Sequence, residues 1–254
     1  MTAAHPNRSE ALSFDESGTV ATLTVGSGAR LNAMDLDQWR GLADAALALQ
    51  VSGAVRAVVV RGHGDTFCSG SDLREWAGLT PDRVSECFTE IEGTLRAIED
   101  IPVPTVAVVE GVAAGGGCQL ALACDLQLMS ASARMGMPIA KLGILVPVPF
   151  VHRLVVRIGP SRAKELLYGG RLLTAAEASA MGLVTASVAD ERLDHELAAL
   201  LTRWGAQSAA SLRAAKAAVN RAMAPLDEPV RRGGIGVASG EEFPARVEAF
   251  LRRS

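Results

Sequence analysis

Two segments of this chain are built to one plan, and that plan leaves few folds open. AVRAVVVRGHGDTFCSGSDL (54–73) and TVAVVEGVAAGGGCQLALACDLQLM (105–129) each open on a β-branched run and pass into a glycine-rich loop. The runs Val55–Val60 and Thr105–Val109 are nearly continuous in apolar residues. Such runs read as strands covered on both faces, the habit of parallel sheets in α/β proteins. The second loop leads into a helix, and Leu126–Met129 follows as another strand. Between the two segments, Pro81–Asp100 carries apolar residues at helical spacing and is stopped by IPVP (101–104).

After Pro138 the texture becomes helical. Phe150–Ile158, Ser161–Tyr168 and Ala175–Met181 read as short helices, punctuated by Gly159-Pro160, Gly169-Gly170 and Gly182. Tyr168 is expected to pack around its helix end. ERLDHELAALLTRW and SLRAAKAAVNRAMA extend the pattern, and a break, RRGGIGVASG, precedes EEFPARVEAFLRR. The spacing therefore predicts a core over residues 1–190 and a helical C-terminal region over 191–254.

At 254 residues, with 49% hydrophobic and 21% charged content, the chain has the balance of an ordinary globular protein. A net charge of −3 gives no electrostatic ground for nucleic acid as a partner. No apolar run reaches the roughly 18–20 residues of a membrane span, and MTAAHPNRSEALSF lacks signal-peptide character, so the expected location is cytoplasmic. Cys68, Cys87, Cys118 and Cys124 form no C-x-x-C pair and the four histidines are scattered, so no metal site is expected.

Glycine is a poor helix former, so three glycines opening a helix at Gly115–Gly117 point to close backbone approach. A triphosphate-binding loop would end in Gly-Lys-Ser/Thr, which neither loop does. A dinucleotide fingerprint would need G-x-G-x-x-G, but Leu120 stands where the last glycine belongs. The same geometry suits a different anion: two backbone N–H groups aimed at one point bind the oxygen of a thioester carbonyl as it becomes an enolate or oxyanion.

Five stretches resemble the crotonase (enoyl-CoA hydratase/isomerase) family, in order and at family spacing: RLNAMD (30–35), VVVRGHGDTFCSGSDLRE (58–75), IPVPTVAVVEGVAAGGGCQLALACDL (101–126), RMGMPIAKLGI (134–144) and GGRLLTAAEASAMGLV (169–184). The resemblance implies an α/β fold, a ββα spiral with two roughly perpendicular sheets and a helical C-terminal region. It implies an oxyanion hole made by the backbone N–H groups of Ser71 and Gly116. It also implies contacts to coenzyme A from Arg30, Ala33, Ser69 and Arg74, with an acyl-CoA as substrate or ligand and no permanently bound cofactor. Assembly as a homotrimer or a pair of trimers follows from the same source, with the C-terminal region serving oligomerisation and covering the pocket.

The departures from the family pattern are as informative. Hydration of an enoyl thioester wants paired carboxylates as base and acid. The family's hydratases carry one glutamate just after the Gly-Gly-Gly-Cys stretch and another directly after a proline; this chain has Gln119 and Ile139 there. Gln119 can hold a water but cannot usefully accept a proton. Losing one acid–base group typically costs about 100- to 10,000-fold. The expectation is a protein that binds acyl-CoA thioesters and runs a non-standard acyl-CoA reaction. A non-catalytic acyl-CoA binding or carrier protein and an ordinary enoyl-CoA hydratase of fatty acid β-oxidation are the alternatives.

Overall fold

The computed structural model describes residues 11–232 and 242–252, and most of the expected glycine-rich break after Arg232 lies outside that range. The chain opens with β1 (Leu12–Phe14) and β2 (Val20–Val25), then runs through α1 (Leu36–Gln50) to β3 (Ala57–Gly62). Two helices, α2 (Leu73–Trp76) and α3 (Pro81–Glu99), lead to β4 (Thr105–Val109) and β5 (Val112–Ala114). Next come α4 (Gly116–Ala123), β6 (Leu126–Ser130), β7 (Arg134–Gly136) and a 3-10 turn over Pro138–Leu142. Helix α5 (Val148–Gly169), β8 (Leu172–Thr174), α6 (Ala175–Met181) and β9 (Ala186–Val188) follow. The described chain ends with α7 (Leu193–Gly205), α8 (Ala209–Arg232) and α9 (Phe243–Leu251).

The strands make two sheets, one of six strands in the order β1-β2-β3-β4-β6-β9 and one of three in the order β5-β7-β8. Only β1 is antiparallel to its neighbour in the larger sheet, and β3 registers on β4 with Val58 opposite Thr105 and Val60 opposite Ala107. Side chains alternate between the faces of a strand, which explains the continuous apolar runs. Val58, Val60, Ala107 and Val109 face the main core under α1, α3 and α4. Val59, Val106, Val108 and Leu128 face the other way and are covered by Leu193, Leu197 and Leu200 of α7.

Two expected helices, Phe150–Ile158 and Ser161–Tyr168, are one element kinked at Gly159 (φ 74°, ψ 166°) ahead of Pro160. Tyr168 does not pack around its helix end: it is 78% exposed. The buried residues of its half of α5, Ala163 and Leu166, point away from Tyr168. Helix α9 closes over the 3-10 turn, where a Cβ on Gly143 would stand 3.2 Å from Arg246 Cδ. Its Phe243 ring lies 6.4 Å from Trp76. For the site, parallel pairing of β3 and β4 is what counts, because it sends the loops that follow them off the same edge of the sheet.

Candidate active site

Ser71 and Gly116 stand at the ends of those two loops. A short parallel bridge fixes the first: Met34 N donates to Gly70 O and Asp72 N donates to Met34 O, both at 2.8 Å. With its neighbours' peptide groups tied to Met34, the Ser71 N–H is turned to the opposite side. The second loop is held by Ala114 N donating to Cys68 O and Gly115 N donating to Gly136 O, both at 3.0 Å. Gly115 adopts φ 54°, ψ −116°, a conformation essentially reserved for glycine, and α4 starts at the next residue. Among the described residues, neither the Ser71 nor the Gly116 amide donates a hydrogen bond within the chain.

The loops touch. A Cβ on Gly70 (φ 105°) would stand 2.9 Å from Ala114 O and 3.3 Å from Gly116 N. One on Gly116 would meet Trp39 Cζ2 at 3.0 Å, and one on Gly117 would fall 2.0 Å from Cys68 O. Each member of the glycine triplet thus has a separate reason: Gly115 for its dihedral angles, Gly116 for the indole edge, Gly117 for the backbone of the facing loop. The unpaired Gly116 N–H also lies at the positive end of the α4 dipole.

Gln119, one turn into α4, is 0% exposed. Its Nε2 donates to Phe150 O at 3.2 Å and lies 3.5 Å from Met137 Sδ, while Oε1 is buried without a hydrogen-bond partner. Ile139, in the 3-10 turn, is likewise buried. The same core holds the rings of Phe150, Phe88, Trp76 and Phe243, with centroids 5.9 Å apart for Phe88–Phe150 and 5.2 Å for Trp76–Phe88. Trp76 ends the single turn of α2 that follows Ser71.

The four residues expected near coenzyme A are linked by short-range contacts. Ser69 donates from Oγ to Arg30 O (3.1 Å) and from N to Leu31 O (2.9 Å), so Ser69, Arg30 and Ala33 share one stretch of surface beside Ser71. Arg74, exposed on α2, is linked to them through Asp72, which accepts from Arg74 N and pairs with Arg30. Arg30, Leu31 and Asn32 all have positive φ (50°, 55° and 56°), each worth roughly 1–2 kcal/mol of strain. Asn32 holds that turn: its Nδ2 donates to His63 O and Thr66 O, and its Oδ1 accepts from Gly28 N. The sequence reading passed over Asn32 and Trp39; the LNAM stretch alone marked the first, and a lone aromatic on the inner face of α1 was the only sign of the second.

The titratable groups nearby are occupied or suppressed. Asp72 pairs with Arg30 at 2.9 Å and caps α2 by accepting from Arg74 N. Burial raises the Glu75 carboxyl, which accepts from Leu36 N at 2.9 Å. Burial also pushes the thiols of Cys68 and Cys118 up to about 12, which removes them as nucleophiles at neutral pH. Among the described residues no group of three or more His, Cys, Asp or Glu side chains could hold a metal ion.

The family model for enoyl-CoA hydratase/isomerase matches residues 15–234. The chain belongs to that family. A protein named "Probable enoyl-CoA hydratase echA8" from Mycobacterium tuberculosis is 35% identical over 214 residues, covering 84% of this chain and 82% of its own. The mitochondrial methylglutaconyl-CoA hydratase of Mus musculus is 33% identical over 215 residues, 82% of this chain and 68% of its own. Among solved structures, an enoyl-CoA hydratase/carnitine racemase from Magnetospirillum magneticum superposes with a TM-score of 0.79 at 32% identity, over 87% of this chain and 84% of that one. An enoyl-CoA hydratase from Mycobacterium avium subsp. paratuberculosis gives 0.81 at 28% identity, over 95% of each. The two-sheet α/β architecture of the family member described above is that of these crotonase-fold neighbours.

Proposed function

We propose that this family member binds acyl-CoA thioesters with the carbonyl oxygen between the Ser71 and Gly116 N–H groups. The reading is carried by one observation: two unpaired backbone donors on touching loops, one of them opening a helix. Such donors stabilise charge that develops on a carbonyl oxygen, and losing one typically costs about 100- to 1,000-fold in rate. In this reading Gln119 and Ile139 occupy the places of the two hydratase glutamates. A buried amide committed to Phe150 O and a buried aliphatic chain offer neither base nor acid, so the chemistry is a non-standard acyl-CoA reaction whose proton comes from water, the substrate or another group. Arg30, Ala33, Ser69 and Arg74 face coenzyme A, and no bound cofactor takes part.

The same proposal places residues 1–190 as the catalytic core and 191–254 as the region that covers the pocket and joins subunits into a homotrimer or a pair of trimers. Calorimetric titration with crotonyl-CoA and a long-chain acyl-CoA, run beside a crotonyl-CoA hydration assay, tests the reading. The expected result is micromolar binding without hydration. Hydration at the rates usual for the family overturns the argument from Gln119 and Ile139, and absence of thioester binding overturns the whole reading. The names of the relatives favour ordinary hydration, and this assay decides between the two.

A further inference from the structure

Helix α4 has little reason of its own to be a helix. It is eight residues long, opens on glycines and has no side-chain cap at its N-terminus, and isolated helices of that length are not stable in water. Its other end is gripped. Arg157 Nη2 donates to the carbonyls of Leu122 (3.2 Å) and Cys124 (3.0 Å), and its Nη1 donates to Gln127 Oε1 at 2.7 Å. Gln127 Nε2 in turn donates to Ala121 O (3.0 Å) and Cys124 O (2.9 Å). Thr185 Oγ1 donates to Gln127 Oε1 at 3.2 Å and fixes the amide from behind.

These hydrogen bonds of Arg157 all go to neutral oxygens. Burial is the main influence on its guanidinium and lowers it from the usual arginine value, yet it remains a cation at the negative end of the α4 dipole, where a cation stabilises the helix. Arg157 lies seven residues beyond Phe150 on α5, on the same face of that helix. Phe150 O takes the Gln119 amide one turn from Gly116, and Arg157 takes the last carbonyls. Helices α4 and α5 are therefore laced at two places, at Gln119 and at Leu122–Cys124, about 5–8 Å apart along α4.

We infer that Arg157, acting with Gln127, is a positioning residue for the Gly116 amide: it fixes α4 along its axis and so sets how strongly that N–H polarises a bound thioester. The inference rests on the thioester reading above and adds a residue remote from the acyl group. Arg157 touches no substrate in this account.

The test reads the carbonyl directly. Butyryl-CoA labelled with 13C at the thioester carbonyl has no double bond to hydrate, and its carbonyl resonance moves downfield when N–H donors polarise it. The wild-type protein is expected to show that displacement. In R157Q and Q127M it should at least halve, while the Kd for butyryl-CoA changes less than threefold. A merely structural role would lower the melting temperature and leave the displacement of the folded variants intact. Folded R157Q or Q127M with the wild-type displacement overturns the inference, and if R157Q does not fold, Q127M decides alone. A wild-type protein that binds no butyryl-CoA overturns the thioester reading and this inference with it.

Discussion

The Gln119 amide and the Phe150 carbonyl meet at 3.2 Å in the interior of the protein, so the one polar side chain projecting from the buried part of α4 is a tie to the start of α5. Substituting a glutamate there changes more than an acid–base inventory. An ionised carboxylate cannot donate to Phe150 O, and the surroundings are those in which burial raises the neighbouring Cys118 thiol to about 12.

Gln119→Glu is therefore expected to be a pH-dependent destabiliser. Burial raises the folded-state pKa of the new carboxyl above its unfolded value of about 4.3. Protonated, the group can donate to Phe150 O, so below about pH 4 the variant should melt close to wild type. The penalty appears above that unfolded value and grows until pH passes the raised folded pKa, reaching on the order of 2–4 kcal/mol at pH 8. Melting curves of both proteins at pH 4 and pH 8 check this; a difference that does not change with pH refutes it. Hydration should not appear, since Ile139 still supplies no partner acid.

The glycine triplet predicts a contrast between two alanine substitutions. At Gly117 the new methyl would sit 2.0 Å from Cys68 O, backbone that cannot step aside without moving the loop that carries Ser71. Gly117→Ala should cost about 3 kcal/mol, the upper range of overpacking penalties, and abolish thioester binding. Gly93, on the exposed side of α3, has nothing within 4 Å of a Cβ. Gly93→Ala should add about 0.5–1 kcal/mol of stability through helix propensity. Urea unfolding of the two variants measures both signs, and a stable Gly117→Ala protein would mean that the two loops are not packed as described.

Residues whose neighbours in sequence are also their neighbours in space were legible before the fold was known. The runs at 55–60 and 105–109, the Pro81 helix start and the Ala175–Met181 helix needed only local pattern. Strands β1, β2, β5, β7, β8 and β9 were not read, because five of them have three residues each and β2 alternates with threonines in a way that a solvated segment also does. In the site, the glycines were legible because three in a row oppose a helix start, whereas Gln119 and Ile139 drew attention only through the family resemblance. What Gln119 touches was not legible, since Phe150 lies 31 residues away, across two strands, a 3-10 turn and a helix start. Arg157 was hidden for the same reason: its bonds reach back 30 to 35 residues, and nothing in RLVVRIG says which carbonyls it meets.

Thiol chemistry gives a direct check on the packing around both loops. Burial holds Cys68, Cys118 and Cys124 near 12 and raises Cys87 as well. The native protein at pH 8 should resist a disulfide-exchange reagent at all four cysteines over hours, with Cys87, on α3, the first to react. Four equivalents should label at once in denaturant. Rapid native labelling at Cys68 or Cys118 would show that the loops open far more readily than their hydrogen bonds suggest.

The tie between α3 and α5 supplies the largest expected single-site effect. Arg153, 8% exposed, donates to both oxygens of Glu92 (2.7 and 2.9 Å) and both of Glu99 (2.6 and 3.1 Å). Burial alone would lower its guanidinium, but the two carboxylates outweigh burial and hold it above the usual arginine value. Arg153→Ala leaves Glu92 buried with Arg96, at 2.9 Å, as its remaining ion-pair partner. Removing one member of such a pair typically costs about 3–5 kcal/mol, whereas replacing both by apolar groups is often near neutral. The double variant Glu92→Leu/Arg153→Met should therefore recover most of what Arg153→Ala loses, as read from urea midpoints at constant slope. A single-variant cost below about 1 kcal/mol, the range of exposed pairs, would show that water reaches this network and that it does not fix the two helices against each other.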